Sequence, residues 1–107
     1  MVKISVLYPN QPGSRFDFDY YVKTHMPMAA ELLNESGTLR GLSVERGLSG
    51  GQPGSAPPYW ASCHFLFDSL EAFLAAFAPH APALQGDIPN YTDVAPVIQV
   101  GEVALTR

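Results

Sequence analysis

His25 is the residue best suited to chemistry in this chain. It falls in "YYVKTHMPMAAELL", residues 20–33, on an apolar helical stripe where a polar ring is out of place. Phe18 and Tyr21 lie seven and four residues before it, so helical spacing puts all three on one face. An imidazole gains and loses a proton near neutral pH, which suits it to general acid–base work. Tyr21 is placed to be its hydrogen-bond partner, or a donor to a developing oxyanion. Pro27 has no amide hydrogen, so the Lys23 carbonyl loses its usual partner and the helix should kink beside His25. A kink there makes room for a small molecule. A buried histidine bonded to a backbone carbonyl, in a helix bent for packing, would satisfy the same pattern.

The other reactive side chains point elsewhere. His64 sits mid-strand on the face expected to lie away from the helices, as an interface residue, and His80 in "PHAP" is expected to be exposed. The three histidines are 39 and 16 residues apart, and no H-E-x-x-H occurs, so no metal clamp is predicted. An axial haem ligand is the one metal role open to a lone histidine. Cys63, the only cysteine, reads as a core thiol, and it rules out an internal disulfide. No nucleophile elbow, dinucleotide fingerprint or P-loop is present, and no cofactor is expected. Asp17 reads as a helix cap, and Asp87 and Asp93 as turn formers around "IPNYT". Tyr91 in that loop is placed to reach a cavity mouth.

Alternation and helical spacing give the elements that must hold these groups. "VKISVLY" (2–8) alternates as a strand. Asp17 caps a helix stapled by Phe16 and Tyr21 and stopped by Gly37. "TLRGLSVERGL" (38–48) and "YWASCHFLF" (59–67) read as strands. Between them, the Gly- and Pro-rich residues 50–58 are long enough to suggest a lid, a partner contact or a solvated loop. "DSLEAFLAAF" (68–77) is a second helix, with Asp68 and Glu71 at capping-box spacing. Pro79 and Pro82 break it near Ala78. "VAPVIQVGEVAL" closes the chain as a strand that Pro96 starts at an edge or bulge.

This order is βαββαβ: a ferredoxin-like α+β fold, with a four-stranded antiparallel sheet and two helices on one face. The helices leave the face of Trp60, His64 and Leu66 bare, and a second copy packed sheet to sheet is its simplest cover. The 107 residues suit one domain, 1–107. Apolar residues make up 47% and charged residues 15%, with net charge −4 and pI near 5.1. No basic run exists, so neither nucleic acid nor an anionic membrane surface is an expected partner. The alternating N-terminus does not read as a signal peptide, no segment suits a membrane span, and a cytoplasmic location is expected.

The stretches "ISVLYPNQPGSRFDFDYYVKTHMPM", "GLSVERGLSGGQPGSAPPY" and "CHFLFDSLEAFLAAFAPHAPALQGDIPNYTDVAPVIQVGEV" resemble the ethyl tert-butyl ether degradation (EthD) family. "FDYYVKTHMP" is the most specific piece. The resemblance implies a dimeric α+β barrel, in which the sheets of two ferredoxin-like protomers face each other. Relatives in that superfamily include cofactor-free monooxygenases, haem-degrading oxygenases, lactone isomerases and polyketide cyclases, with pockets between helices and sheet. It therefore implies either a small cofactor-independent enzyme acting on a small apolar organic compound in a degradation pathway, or a binding or accessory protein for an ether-degrading oxygenase system. His25 and Tyr21 would be the catalytic pair, and Phe18, Met28, Phe65 and Tyr91 would line the substrate pocket.

Overall fold

A computed structural model describes residues 1–107. Four strands, β1 (Val2–Pro9), β2 (Gly41–Arg46), β3 (Tyr59–Phe67) and β4 (Val97–Glu102), form one sheet in the order β2-β3-β1-β4. Every neighbouring pair is antiparallel. This is the split β-α-β arrangement the element order predicts. The fold is α+β and ferredoxin-like, with its helices on one sheet face.

Period-two alternation decides what each face carries. Ile4 opposes Phe65 and Val6 opposes Cys63, and these side chains join Tyr8, Ala61 and Phe67 under the helices. The opposite face holds Ser5, Leu7, Trp60, Ser62, His64 and Leu66, and no helix crosses it. It is more polar than its strands suggest. His64 Nδ1 lies 2.8 Å from Ser5 Oγ and Nε2 lies 3.2 Å from Glu45 Oε1, while Ser62 Oγ donates to that same oxygen at 3.1 Å. Strand β4 is an edge strand beginning just after Pro96, where a missing amide hydrogen costs no ladder bond.

The first helical segment, residues 18–33, has three parts: α1 (Phe18–Tyr20), a π-turn (Tyr21–His25) and α2 (Met26–Leu33). Asp17 caps it, accepting from the Tyr20 amide at 3.1 Å, and the Phe16 and Tyr21 rings meet edge to face at 5.0 Å as a staple. The Met26 amide reaches back five residues to the Tyr21 carbonyl. The kink expected at Pro27 therefore takes the form of one wider turn just before it, an adjustment common at functional sites. Winding five residues in that turn brings Met26, Ala29 and Leu33 onto the sheet and leaves Met28 half-buried beside them.

The second helical segment consists of α3 (Leu70–Phe77), a 3₁₀ turn (Ala78–His80) and α4 (Ala81–Gly86), so the break falls where the two prolines require it. Its cap is Ser69, whose Oγ accepts from the Ala72 amide at 3.1 Å, and not Asp68 as the spacing suggests. Asp68 is taken by Arg40, which donates Nη2 to Oδ2 at 2.9 Å. His80 is less exposed than expected, its side chain 19% accessible and Nε2 2.8 Å from Glu35 Oε1. Residues 49–58 form no lid over the cavity described below. They fold back on themselves, Gly50 bonding to Ser55, and are tied to the end of β1 through Asn10, which donates to the Pro57 and Pro58 carbonyls.

Candidate active site

Three tethers press residues 87–94 against the entrance of the first helix. The Asp17 amide donates to the Tyr91 carbonyl at 2.7 Å. Thr92 Oγ1 donates to the Arg15 carbonyl at 2.7 Å, and Arg15 Nη2 donates to the Pro89 carbonyl at 2.7 Å. A short 3₁₀ turn, Ile88–Asn90, carries the chain between Asp87 and Tyr91. The result is that both side chains meet His25 from outside its own helix.

His25 is 6% exposed. Its Nδ1 lies 2.9 Å from Asp87 Oδ2, and its Nε2 lies 3.4 Å from the Tyr91 hydroxyl. Tyr91 and Tyr8 share a 2.6 Å hydroxyl–hydroxyl bond. On its other oxygen Asp87 accepts from Tyr20 at 2.7 Å and from Asn90 at 2.8 Å. Burial alone would raise the Asp87 pKa, but the bonds from Tyr20, Asn90 and His25 outweigh it and hold the carboxyl below its ordinary range. Asp87 is then an ionised acceptor, so His25 must donate through Nδ1, and the neutral ring keeps Nε2 as its basic nitrogen. Tyr91 donates to Nε2, and Tyr8 donates to Tyr91. Burial pushes the Tyr8 hydroxyl up to about 12 and raises those of Tyr21 and Tyr91 as well, so all three remain protonated donors at neutral pH.

This chain of groups ends at a cavity of about 460 Å³ between the first helix, the second helical segment and the sheet. Its floor is formed by buried residues: Ile4, Tyr8, Tyr21, His25, Cys63 and Phe65 among them. Its mouth is marked by exposed Leu74, Gln85 and Ile98, where β4 passes α3 and α4. Fifteen of the 18 lining residues are hydrophobic, and none is Lys, Arg, Asp or Glu. Cys63 belongs to the floor, and burial holds its thiol up at about 11, which keeps it protonated and poorly nucleophilic.

The residues expected at the site divide as follows. His25, Tyr21 and Phe65 line the cavity. Tyr91 is fully enclosed behind the wall, linking His25 to Tyr8 rather than touching the cavity. Phe18 and Met28 are not among the lining residues. The Phe18 ring lies under the Arg46 guanidinium, 5.2 Å away, and the π-turn gives the place expected for Met28 to Met26. Of the two roles expected for Tyr21, that of hydrogen-bond partner to His25 is filled by Asp87 and Tyr91. The Tyr21 ring instead stacks on the imidazole at 5.8 Å and 14°. Its hydroxyl is buried with only the Cys63 thiol, a weak acceptor, beside it, and makes no well-formed hydrogen bond.

Asp87 and Tyr8 were missed. "GDIPNYTD" reads as a turn, and Asp87 does accept from Asn90 within that turn; nothing local marks its second partner 62 residues away. Tyr8 carried a weak signal: a hydroxyl at the end of a strand's apolar face needs a partner. No group of three His, Cys, Asp or Glu side chains is placed to hold a metal ion. The site does not fit haem either. His25 Nε2 is turned toward Tyr91, whose ring centroid is 4.6 Å from the imidazole, and no basic side chain lines the cavity to meet propionates.

Comparison with known proteins agrees with this architecture. A model of the EthD domain matches residues 13–95. An EthD-like protein from Ralstonia eutropha JMP134, of known crystal structure, is 43% identical over 99% of this chain and 94% of its own, with a TM-score of 0.90. An ethyl tert-butyl ether degradation family protein from Bacillus halodurans C-125 is 23% identical over 95% of this chain and 97% of its own, with a TM-score of 0.65. HapK from Hahella chejuensis shares the fold at 17% identity over 100% of this chain and 96% of its own, with a TM-score of 0.58. No curated protein matches.

Proposed function

The chain belongs to the EthD family, and from that premise we propose that it is a small enzyme that moves a proton on a small apolar organic compound. One observation carries this reading: a continuous hydrogen-bonded line, Asp87–His25–Tyr91–Tyr8, runs from a nearly buried carboxylate to the wall of an apolar cavity. A ligand C–H or O–H acid beside Tyr8 would give its proton to the Tyr8 oxygen. Tyr8 passes its own proton to Tyr91, and Tyr91 passes its proton to His25 Nε2. The imidazolium so formed is stabilised by Asp87 across 2.9 Å. The 3.4 Å step to Nε2 is long in the resting protein and would shorten as charge develops. Proton removal of this kind is one entry to oxygenase, isomerase and cyclase chemistry on such compounds.

The reading is tested with α-tetralone, a neutral ketone bearing enolisable hydrogens, in deuterated buffer. The protein should speed exchange of those hydrogens above the buffer rate, as followed by proton NMR. Binding without exchange would instead identify a binding or accessory protein, the alternative that the largely apolar lining of the cavity favours.

The working unit proposed is a homodimer of one-domain protomers, formed through the sheet face that carries Trp60, His64 and Leu66. That face is half-buried within one chain and no helix covers it. Light scattering at micromolar concentration should give twice the chain mass of 11.6 kDa, with an interface above ~1,000 Å² in total. A monomeric mass would contradict it. No helix is long and apolar enough to cross a membrane.

A further inference from the structure

The structure assigns the Tyr21 hydroxyl as the anchor for a single oxygen atom of an uncharged, otherwise apolar ligand. This rests on the cavity being a ligand site, as proposed above, and adds the chemical class of what enters it.

Two independent features lead here. The first is the orphaned group itself. Tyr21 has no exposed surface, and the one polar group beside its hydroxyl is the Cys63 thiol, a weak acceptor with which it makes no well-formed hydrogen bond, whereas the neighbouring Tyr8, Tyr20 and Tyr91 hydroxyls are all bonded to oxygen. Phenylalanine would fill the same space without a buried hydroxyl to satisfy, and a thiol is a poor acceptor, so stability gives little reason for a tyrosine. The hydroxyl lies beside Cys63, which lines the floor together with Tyr21, at the polar end of the cavity near Tyr8 and His25.

The second feature is the charge of the lining. With no Lys or Arg, the cavity offers no fixed positive charge to a carboxylate, sulfate or phosphate, and with no Asp or Glu no fixed negative charge to an amine. Beyond Tyr8, Tyr21, His25 and the Cys63 thiol on the floor, the interior is aliphatic and aromatic, with Ile4, Phe65, Phe73 and Phe77 among its residues. A ketone, quinone or lactone carbonyl accepts from a hydroxyl and has no charge to desolvate. Seated on Tyr21, it would present its α-carbon to the neighbouring Tyr8, with the two tyrosine rings 5.5 Å apart.

The test uses matched pairs: acetophenone with ethylbenzene, α-tetralone with tetralin and fluorenone with fluorene, together with fluorene carboxylate, each titrated by NMR. At least one ketone should bind roughly five- to tenfold more tightly than its hydrocarbon, the gain expected of one hydrogen bond. Tyr21→Phe should abolish that difference while leaving hydrocarbon affinity unchanged. The same variant, without ligand, should melt no lower than the parent, which a merely structural hydroxyl would not allow. Fluorene carboxylate should bind more weakly than fluorenone. Equal affinity of ketone and hydrocarbon, or Tyr21→Phe binding ketones as the parent does, would overturn the anchor while leaving the cavity a ligand site. Failure of every pair to bind the folded protein would overturn the anchor and the ligand site together.

Discussion

His25→Ala is expected to lower the rate of α-tetralone exchange by about a hundredfold or more, down toward the buffer rate, without altering the fold. The magnitude follows from what a positioned base contributes, typically ~10²–10⁴. The imidazole is where the hydrogen-bonded line ends for the proton, because burial raises the tyrosine hydroxyls, which only relay it, and Asp87 is held ionised by its donors. Tyr8→Phe should be nearly as damaging. It keeps the ring contacts with Phe16 and Tyr21 but removes the hydroxyl that joins the cavity to Tyr91. Near-parental exchange in Tyr8→Phe would mean that His25 meets the ligand directly. Near-parental exchange in His25→Ala would remove the histidine from the chemistry.

Asp87→Ala is expected to cost stability as well as rate. The carboxylate accepts from Tyr20, His25 and Asn90, and its side chain is only 15% exposed. Deleting it leaves the nearly buried His25 Nδ1–H without an acceptor. A bond of this kind to a charged group is worth ~1.5–3 kcal/mol, so a fall in Tm of roughly 6–13 °C is expected for a chain of this size. The carboxylate also sets an acid limit. Its pKa is lower folded than unfolded, so the fold favours the ionised form. The stabilisation is complete above the ordinary carboxylate range and is lost as pH falls through the depressed folded value. Asp87→Asn should therefore flatten the acid limb of the stability curve, bringing parent and variant closer together below about pH 4. Parallel curves for the two proteins down to the acid transition would show that Asp87 has no such coupling.

Much of this architecture can be read from local pattern, and the site only partly. Strands β1 and β3 alternate so cleanly that Ile4, Cys63, Phe65 and Phe67 could be assigned to the helix-covered face from their spacing alone. The cap at Asp17 and the staple of Phe16 with Tyr21 are contacts within a few residues, which is why they too were legible. Pro27 announced an irregularity beside His25 but not its form. Whether a lost amide is absorbed by a bend or by a wider turn depends on packing against the sheet, and that choice exchanged Met28 for Met26 in the cavity wall. At the start of α3, two neighbouring residues could each cap, and Arg40, distant in sequence, removed Asp68 from the contest. The decisive pairing of His25 with Asp87 spans 62 residues. A carboxylate in a Gly- and Pro-containing turn has an adequate local reason to exist, so its second role emerges only when the Arg15 and Thr92 tethers fold that turn against the helix.

The position of the proton on the His25 ring shows whether Asp87 aligns it as a base. Long-range ¹H–¹⁵N correlation NMR of the imidazoles, at a pH where His25 is neutral, distinguishes the two tautomers. Nδ1 should carry the proton, donating to Asp87, with Nε2 bare toward Tyr91, and Asp87→Asn should perturb this preference. A His25 protonated at Nε2 in the neutral form, or a tautomer unaffected by Asp87→Asn, would contradict the proposal that Asp87 aligns His25 as the base of this site.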